Sequence, residues 1–138
     1  MPVETTRSLG PRFFQEQDRL RGGPADELCA PNYQAFIGDN PPMNLAGHQQ
    51  FAKAFYAGFP DIGHTIDDVV ADRSRAAVRF TLRGTHTADF MGIPATGKPI
   101  VVSAIAILQV AGGKVIELRA VFDQYGMMQQ LGVLPPSG

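Results

Sequence analysis

The chain of 138 residues has the length of one domain, which we predict to cover residues 1–138, and its 44% hydrophobic and 18% charged residues are ordinary for a folded domain. A formal net charge of -1, with the basic residues scattered along the chain, argues against a nucleic-acid-binding surface. The N-terminus lacks the apolar segment of a secretion signal, and no run of about 18 apolar residues predicts a membrane span, so we expect a cytoplasmic protein.

Helical periodicity is confined to the first half of the chain. Residues 1–10 show no apolar period and residues 135–138 read Pro-Pro-Ser-Gly, so we expect both ends of the domain to be frayed. Apolar residues three and four positions apart predict a short helix over 12–20. Pro24 suits the first turn of a second short helix, which runs through Cys29.

The longest predicted helix follows a brief strand over 33–37. This helix begins after Asn44, a favourable N-cap, and ends at Gly58 and Pro60. Four longer segments then alternate with period two, which is typical of strands joined by tight hairpin turns. These strands are predicted over residues 62–71, 76–87, 99–110 and 114–125, with turns at Asp72-Arg73-Ser74 and Gly112-Gly113. Helices followed by an antiparallel sheet predict an α+β fold.

Alternation along the strands decides which side chains share a face of the sheet. In the strand over 76–87 an apolar set that ends in a histidine shares one face, and we expect this face to lie under the helices. The set is Val78, Phe80, Leu82 and His86. In the last strand Asp123 shares a face with Arg119 and Val121, and alternation alone does not decide whether that face points inward.

The strand over 99–110 is apolar on both of its faces. We therefore expect both faces of the sheet to be covered near this strand. The helices cover one face, and a second subunit is a candidate for the other. A homodimer in which the sheets pack through the side of Arg79, Thr81 and Arg83 follows from this pattern.

Three groups of residues from position 59 onward resemble the SnoaL-like polyketide cyclases, also called ester cyclases. They are Phe59-Pro-Asp61, the run Gly84-Thr-His-Thr87 with Gly92-Ile-Pro-Ala-Thr-Gly-Lys98, and Val121-Phe-Asp-Gln124 followed by Gln130-Leu-Gly132. The resemblance extends over nearly the whole chain. It implies a nuclear-transport-factor-like fold, a cone-shaped α+β barrel in which N-terminal helices pack on a curved mixed or antiparallel sheet and enclose an apolar pocket. It also implies a homodimer formed through the sheet.

The resemblance further implies an active site. In the family, the Asp at the end of the last strand points into the pocket and acts as acid and base in an intramolecular aldol cyclisation, and on this chain that residue is Asp123. His86 is then a candidate to donate a hydrogen bond to the developing oxyanion, or to return the proton to it. The side chains expected to contact an apolar or polyketide-like substrate are Phe55, Phe59, Phe80, Phe90, Met91, Ile105, Arg119 and Val121. Arg119 stands where the family commonly has Trp, so we expect it to change which substrate is accepted.

This chemistry needs neither a metal nor a redox cofactor, because a base and an oriented pocket suffice to remove a proton from carbon between two carbonyl groups. We therefore expect a colourless protein that chelators do not affect. The run Gly92–Lys98 has the spacing of a P-loop, but Pro99 replaces the residue that would hold magnesium. The three histidines, at positions 48, 64 and 86, are too far apart in sequence for a zinc signature.

Other interpretations stay open. Asp123 also suits the N-cap of a helix over 126–131. An epoxide hydrolase or a ketosteroid-isomerase-like enzyme on the same fold would also use pocket carboxylates, with Asp39 or Asp123 as candidates. A non-catalytic dimer that binds a small molecule is the remaining alternative, because a fold does not determine function.

Overall fold

The structure, a computed structural model, describes residues 2–134, and within that range it contains three α-helices and six β-strands. The helices are α1 (Val3–Leu20), α2 (Leu45–Gly58) and α3 (Gln124–Leu131), and a 3₁₀ turn covers Asp26–Leu28. The strands are β1 (Cys29–Ile37), β2 (Met43–Asn44), β3 (Gly63–Ala71), β4 (Arg75–Thr85), β5 (Pro99–Ala111) and β6 (Lys114–Phe122). None of the described helices is long and apolar enough to cross a membrane. The frayed end predicted at 135–138 lies outside the described residues.

The strands form one mixed sheet in the order β2-β1-β6-β5-β4-β3. β1 runs parallel to β6, and every other neighbouring pair is antiparallel. α1 packs on β3 and β4, α2 on β1, and α3 on β5. The predicted α+β arrangement of helices on a mixed sheet is confirmed, and the sheet stays open between its edge strands β2 and β3.

The two predicted hairpin turns are present. Between β3 and β4, Asp72 Oδ1 accepts hydrogen bonds from the backbone N–H groups of Ser74 and Arg75, at 2.8 and 2.7 Å. Between β5 and β6, Gly112 and Gly113 both have positive φ, of 58° and 78°. Two consecutive positive φ values suit the primed turns that match the twist of antiparallel strands, which is why this pair of glycines predicts the hairpin correctly.

α1 begins at Val3, so the fraying predicted for residues 1–10 is wrong for the described part of that segment. Gly10 is buried, and a Cβ at this position would lie 2.9 Å from Cγ2 of Val78, so the helix packs closely on β4. Pro11 lies inside the helix, where its missing N–H and its ring normally weaken helical structure. Contacts with the sheet therefore stabilise a helix that the local sequence pattern does not predict in full. With 18 residues, α1 is also longer than α2, which has 14 and was predicted to be the longest.

β1 also begins earlier than the brief strand predicted over 33–37, at Cys29. The helix predicted from Pro24 is reduced to the 3₁₀ turn. β1 pairs in parallel with β6, starting from Cys29 beside Val115. Parallel strands need a long connection instead of a tight turn, so no local signal in the sequence announces this pairing.

The core lies between the helices and the inner face of the sheet. Val78 and Phe80 on β4 are buried there, which confirms the predicted orientation of that strand. β5 alternates strictly between buried and exposed residues. On its outer face Val101, Ile105 and Ile107 are 51%, 43% and 47% exposed, so an apolar patch faces outward from the single chain.

Candidate functional site

A cavity of about 640 Å³, including the space at its mouth, lies between α1, α2 and the inner face of the sheet. We call it the inner cavity. Its wall is mostly aromatic and aliphatic, and includes Phe14, Phe51, Phe55, Phe80, Leu118 and Phe122. Four polar side chains interrupt the apolar wall, namely Gln17, His48, Tyr56 and His64.

His64, in this wall, is hydrogen-bonded to Asp18, which is not itself a lining residue. His64 Nδ1 lies 2.7 Å from Asp18 Oδ1, and the backbone N–H of His64 donates to Oδ2 at 2.8 Å. The Tyr56 hydroxyl donates to Oδ1 at 2.7 Å. Burial opposes the ionisation of Asp18, but these hydrogen bonds outweigh it and lower the pKa of the carboxyl below its ordinary value of 3.8. An ionised carboxylate only accepts hydrogen bonds, so Nδ1 of His64 carries a proton, and in the neutral ring the lone pair is on Nε2.

His48 is held in the opposite tautomer by Tyr33. The Tyr33 hydroxyl lies 2.8 Å from His48 Nδ1, and the two rings are stacked with their centroids 6.0 Å apart. Among the described residues His48 is the partner of this buried hydroxyl, which must donate its proton to avoid being left unpaired, so Nδ1 accepts and Nε2 carries the hydrogen. Burial, with a smaller effect from His64, lowers the pKa of His48 to about 4, so the ring is neutral at pH 7.

The lowered pKa predicts how stability depends on pH. In the unfolded chain His48 binds its proton near pH 6.5, whereas the folded protein resists that proton until about pH 4. The unfolded state therefore binds more protons in this window, and the free energy of unfolding falls as the pH decreases through it, by about 3 kcal/mol at most. The variant His48→Gln should not show this decrease in the free energy of unfolding, because glutamine does not bind a proton in this pH range. Asp18 affects the free energy of unfolding at lower pH. Its stabilising contribution is present above pH 3.8, the pKa of the unfolded state, and is lost as the pH decreases through the lower pKa of the folded state.

Urea unfolding of the wild type and His48→Gln at several pH values between 7 and 4 measures this effect. We expect the stability difference between the two proteins to narrow, or change sign, as the pH decreases. Parallel curves of unfolding free energy against pH would contradict the assignment of a neutral, buried His48.

Gln17 lies one position before Asp18 on α1 and lines the same cavity. It is 4% exposed, and its Nε2 is buried with no hydrogen-bond partner among residues 2–134. An unpaired buried donor costs about 1–3 kcal/mol, so native structures seldom retain one without a reason. The wall of the inner cavity thus contains two histidines with different hydrogen-bond partners and one glutamine whose buried amide N–H groups are unpaired among residues 2–134.

These groups are not among the site residues predicted from the sequence, where His48 and His64 were considered only as metal ligands. In the part of the chain that the structure describes, no three His, Cys, Asp or Glu side chains cluster where they could hold a metal ion. The spacing of α2 does contain a signal. His48, Ala52 and Tyr56 recur every four residues and are all buried, which places the histidine on the inward face of the helix.

Asp123 lies just after β6 and is exposed. Its Oδ1 accepts a hydrogen bond from the backbone N–H of Gly126 at 2.8 Å, so it caps α3. Leu118, Ala120 and Phe122 form the β6 side of the inner cavity, and Asp123 is not part of that wall. The interpretation of Asp123 as a helix N-cap is confirmed. Its catalytic role stays a prediction.

The cap can be tested separately from catalysis. We expect Asp123→Ala to lower the free energy of unfolding by about 1 kcal/mol, because alanine cannot accept the hydrogen bond at the start of α3. Asp123→Asn should change it little, since the amide oxygen still accepts. Urea unfolding of the three proteins measures both values, and equal stability of the wild type and Asp123→Ala would contradict a capping role.

His86 is fully buried but lies outside the wall of the inner cavity. Its Nδ1 accepts a hydrogen bond from the backbone N–H of Thr96 at 3.2 Å, and its ring stacks on Phe59 with the centroids 5.1 Å apart. Its backbone N–H donates to the carbonyl of Lys98 at 2.9 Å. His86 therefore holds together the two ends of the loop between β4 and β5. Its predicted contact with a substrate oxyanion stays a prediction.

Four of the side chains predicted to contact substrate lie in or beside the inner cavity. Phe55 and Phe80 line it. Phe59 and Phe90 are buried in an adjacent apolar cluster. Phe90 connects the two groups, because its ring centroid lies 4.8 Å from that of Phe55 and 5.2 Å from that of Phe59. The aromatic side of the predicted site is thus assembled around the cavity.

Ile105, Arg119 and Val121 lie on the outer face of the sheet, opposite the inner cavity. Val121 is 58% exposed and is paired with Ile105, so its side chain does not face the cavity as predicted. Ile105 is 43% exposed. The Arg119 guanidinium stands 4.1 Å from the centroid of the Phe36 ring, and its Nε lies 3.2 Å from Glu117 Oε2. Neighbouring residues of β6 alternate between faces, so the Arg119 side chain points away from the cavity that Leu118 and Phe122 line.

A second cavity of about 570 Å³, the outer cavity, shares Phe51, Phe55 and Phe122 with the inner cavity. Its other lining residues are Asp39, Asn40, Met91, Gln124 and Met127. Asp39 and Met91, both singled out from the sequence, therefore lie at the outer cavity and not at the inner one. Met91 has a φ of 47°, which is uncommon for a residue with a side chain. Three aromatic rings lie between the two spaces.

Several solved structures share this architecture. A proposed SnoaL-like polyketide cyclase from Jannaschia sp. CCS1 superposes with a TM-score of 0.82 at 21% identity, over 96% of this chain and 95% of that one. AclR, a proposed hydroxylase from Streptomyces galilaeus, gives 0.83 at 23% identity, over 96% and 99% of the two chains. IdmH, a proposed polyketide cyclase from Streptomyces antibioticus, gives 0.73 at 29% identity, over 94% and 97%. No curated protein matches the chain significantly.

These superpositions confirm the nuclear-transport-factor-like α+β cone that the sequence resemblance implied. The sequence profile of the SnoaL-like polyketide cyclases matches residues 12–131, from within α1 to the end of α3. The matched segment includes every polar group of the inner cavity described above. The chain therefore belongs to the SnoaL-like polyketide cyclase family.

Proposed function

We propose that this protein catalyses a cofactor-independent, intramolecular aldol-type ring closure of an apolar, polyketide-like ketone. The observation that carries the proposal is the His64–Asp18 pair, with His64 in the wall of an apolar cavity on a cyclase fold. Such a pair supplies the base that enolisation needs, and the apolar wall excludes water from the reacting carbon.

The proposed reaction begins when Nε2 of His64 takes a proton from carbon next to a carbonyl group. The resulting enolate carbon attacks a second carbonyl carbon of the same molecule, which forms a carbon–carbon bond and leaves an alkoxide. The imidazolium then returns its proton to the alkoxide oxygen. Asp18 holds the ring orientation and stabilises the imidazolium through the 2.7 Å hydrogen bond at Nδ1.

Asp123 and His86 remain proposed participants. Asp123 is flanked by Phe122 and Gln124, which both line the outer cavity, so a substrate that extends into that space passes near the end of β6. In that case Asp123 would act on the outer part of the molecule while His64 acts on the inner part. Substitution can distinguish the two candidate bases, which are His64 with its partner Asp18, and Asp123 alone.

Two other functions retain support from particular observations. An epoxide hydrolase needs carboxylates at the reacting carbon, and Asp39 in the outer cavity is the candidate for that role. A non-catalytic protein that binds a small molecule would use the same apolar wall without the base.

Hydrogen exchange of a model ketone tests the proposal without knowledge of the natural substrate. 2-Tetralone is an apolar bicyclic ketone whose C1 hydrogens exchange with D₂O through the enolate, and NMR measures the rate. We expect the protein to accelerate this exchange above the rate given by an equal concentration of free imidazole. No acceleration at millimolar ketone would contradict enolisation as the function and favour the epoxide hydrolase or the binding protein.

The outer face of the sheet supports a homodimer. Arg79, Thr81 and Arg83, the predicted contact side, lie opposite Ile105, Ser103 and Val101 on β5, so they border the exposed apolar patch. We expect sedimentation at micromolar concentration to give the mass of two chains. Ile105→Lys should give monomers, since it buries a charge in the interface, whereas Val133→Lys, an equally drastic change outside the sheet, should not. A monomeric wild type would contradict the dimer.

A further inference from the structure

The buried amide of Gln17 has a donor that the described part of the fold leaves unpaired. Its Nε2 is shielded from solvent and has no hydrogen-bond partner among residues 2–134, although the side chain is 4% exposed and lines the inner cavity. A donor in that position costs stability for as long as the cavity is empty. A ligand with an acceptor atom in the cavity would remove that cost.

His48 offers a second donor in the same wall. Its Nδ1 is occupied by the Tyr33 hydroxyl, which leaves Nε2–H as the ring's remaining polar group. Because burial lowers the pKa of His48 to about 4, this donor is a neutral imidazole and not a cation. A neutral donor stabilises developing negative charge without protonating the oxygen outright.

We infer that Gln17 and His48 together bind the carbonyl oxygen of the substrate and stabilise it as an enolate oxyanion while His64 removes the proton. The inference rests on the proposed function, because it supplies the electrophilic partner that the His64 base requires. It also narrows the substrate to enolisable ketones whose carbonyl enters the inner cavity with an apolar ring system around it.

The two histidines have different roles because they have different hydrogen-bond partners. Asp18 forces the proton of His64 onto Nδ1, so Nε2 accepts, and Tyr33 occupies Nδ1 of His48, so Nε2 donates. One cavity thus contains a base and a donor of the same residue type in opposite tautomers. Donors fixed in a water-poor cavity before the reaction need no rearrangement as charge develops, and removal of one such donor typically costs about 10²–10³-fold in rate.

Binding of 2-naphthol tests the oxyanion site directly. Its ionised form resembles an enolate and is distinguished from the neutral phenol by its absorbance and fluorescence. We expect the protein to bind 2-naphthol as the naphtholate at a pH well below that at which it ionises in water. Gln17→Leu should weaken naphtholate binding at least about 10-fold, since one charge-assisted hydrogen bond is lost. Tyr33→Phe should also shift the bound ligand towards the neutral phenol, because His48 is no longer held as a donor.

Gln15→Leu is the matched control, because it makes the same change on the same helix at an exposed position outside the cavity. It should leave naphtholate binding unchanged. Gln17→Leu should also melt at the same or a higher temperature than the wild type when no ligand is present, since it removes an unpaired buried donor. If Gln17→Leu is at least as stable as the wild type but binds naphtholate more weakly, Gln17 serves to bind a ligand and not to stabilise the fold.

The outcomes distinguish this inference from the proposed function. Naphtholate binding that depends on Gln17, in a protein that does not accelerate ketone exchange, would support the oxyanion site and contradict the reaction. Acceleration of exchange that depends on His64 but is unchanged in Gln17→Leu would overturn the oxyanion site alone. Binding of 2-naphthol only as the neutral phenol, or no binding at millimolar concentration, would also overturn it.

Discussion

His64→Gln is expected to reduce the protein-dependent exchange of 2-tetralone by about 10²- to 10⁴-fold, the range usual for loss of a general base. Glutamine fills a similar volume and stays polar, but it has no basic nitrogen. Asp18→Asn should reduce the rate by at least about 10², because an asparagine amide no longer forces the proton of His64 onto Nδ1. NMR exchange rates measured with each purified variant give these values.

The matched control for these variants is Asp123→Asn, which makes the same carboxylate-to-amide change at the other candidate base. If His64 is the base, Asp123→Asn retains most of the exchange activity. The opposite result, with exchange lost in Asp123→Asn and preserved in His64→Gln, would show that Asp123 is the base. Asp123→Asn should still bind naphtholate. This result would show that the variant is folded, so that any change in its exchange rate reflects catalysis.

The parts of the fold that depend on short-range signals were predicted well. The two hairpins follow from alternation and from turn residues such as Gly112 and Gly113, which lie next to the strands that they join. The β1–β6 pair joins residues as distant as Cys29 and Val115, and no local pattern records it. The start of α1 was missed for a related reason, since Pro11 weakens the local helical signal and the stabilising contacts come from β3 and β4.

The site shows the same division between local and distant information. The aromatic wall was largely anticipated, because Phe55 and Phe80 lie on apolar faces whose periodicity is visible in the sequence. The polar groups were not, since the bond between Asp18 and His64 joins residues 46 positions apart on a helix and a strand. No spacing rule connects such residues. Asp123 was placed on the correct turn, but whether its side chain caps α3 or enters the cavity depends on packing that alternation cannot decide.

The largest effect on stability is expected at Gly23, where the chain passes close to α2. Gly23 has a φ of 96°, and a Cβ there would lie 2.8 Å from the backbone Cα of Gln49 and 3.2 Å from Cβ of Ala52. Backbone atoms cannot rotate away, so Gly23→Ala must strain the turn or displace the helix. The combined cost of the unfavourable φ and the overpacking is about 3 kcal/mol, which corresponds to a decrease in melting temperature of about 10 °C for a domain of this size.

Gly38→Ala is the control that isolates the contact with α2. Gly38 also has a positive φ, of 54°, but a Cβ there meets nothing within 4 Å, so alanine should cost only about 1 kcal/mol from the backbone conformation. Because α2 carries His48 and Ala52 in the cavity wall, Gly23→Ala should also weaken naphtholate binding, and Gly38→Ala should not. Thermal unfolding and ligand titration of both variants measure the two effects. Equal losses of stability in the two variants would mean that α2 adjusts freely to the added methyl group, and that the close approach at Gly23 does not fix the helix that presents His48.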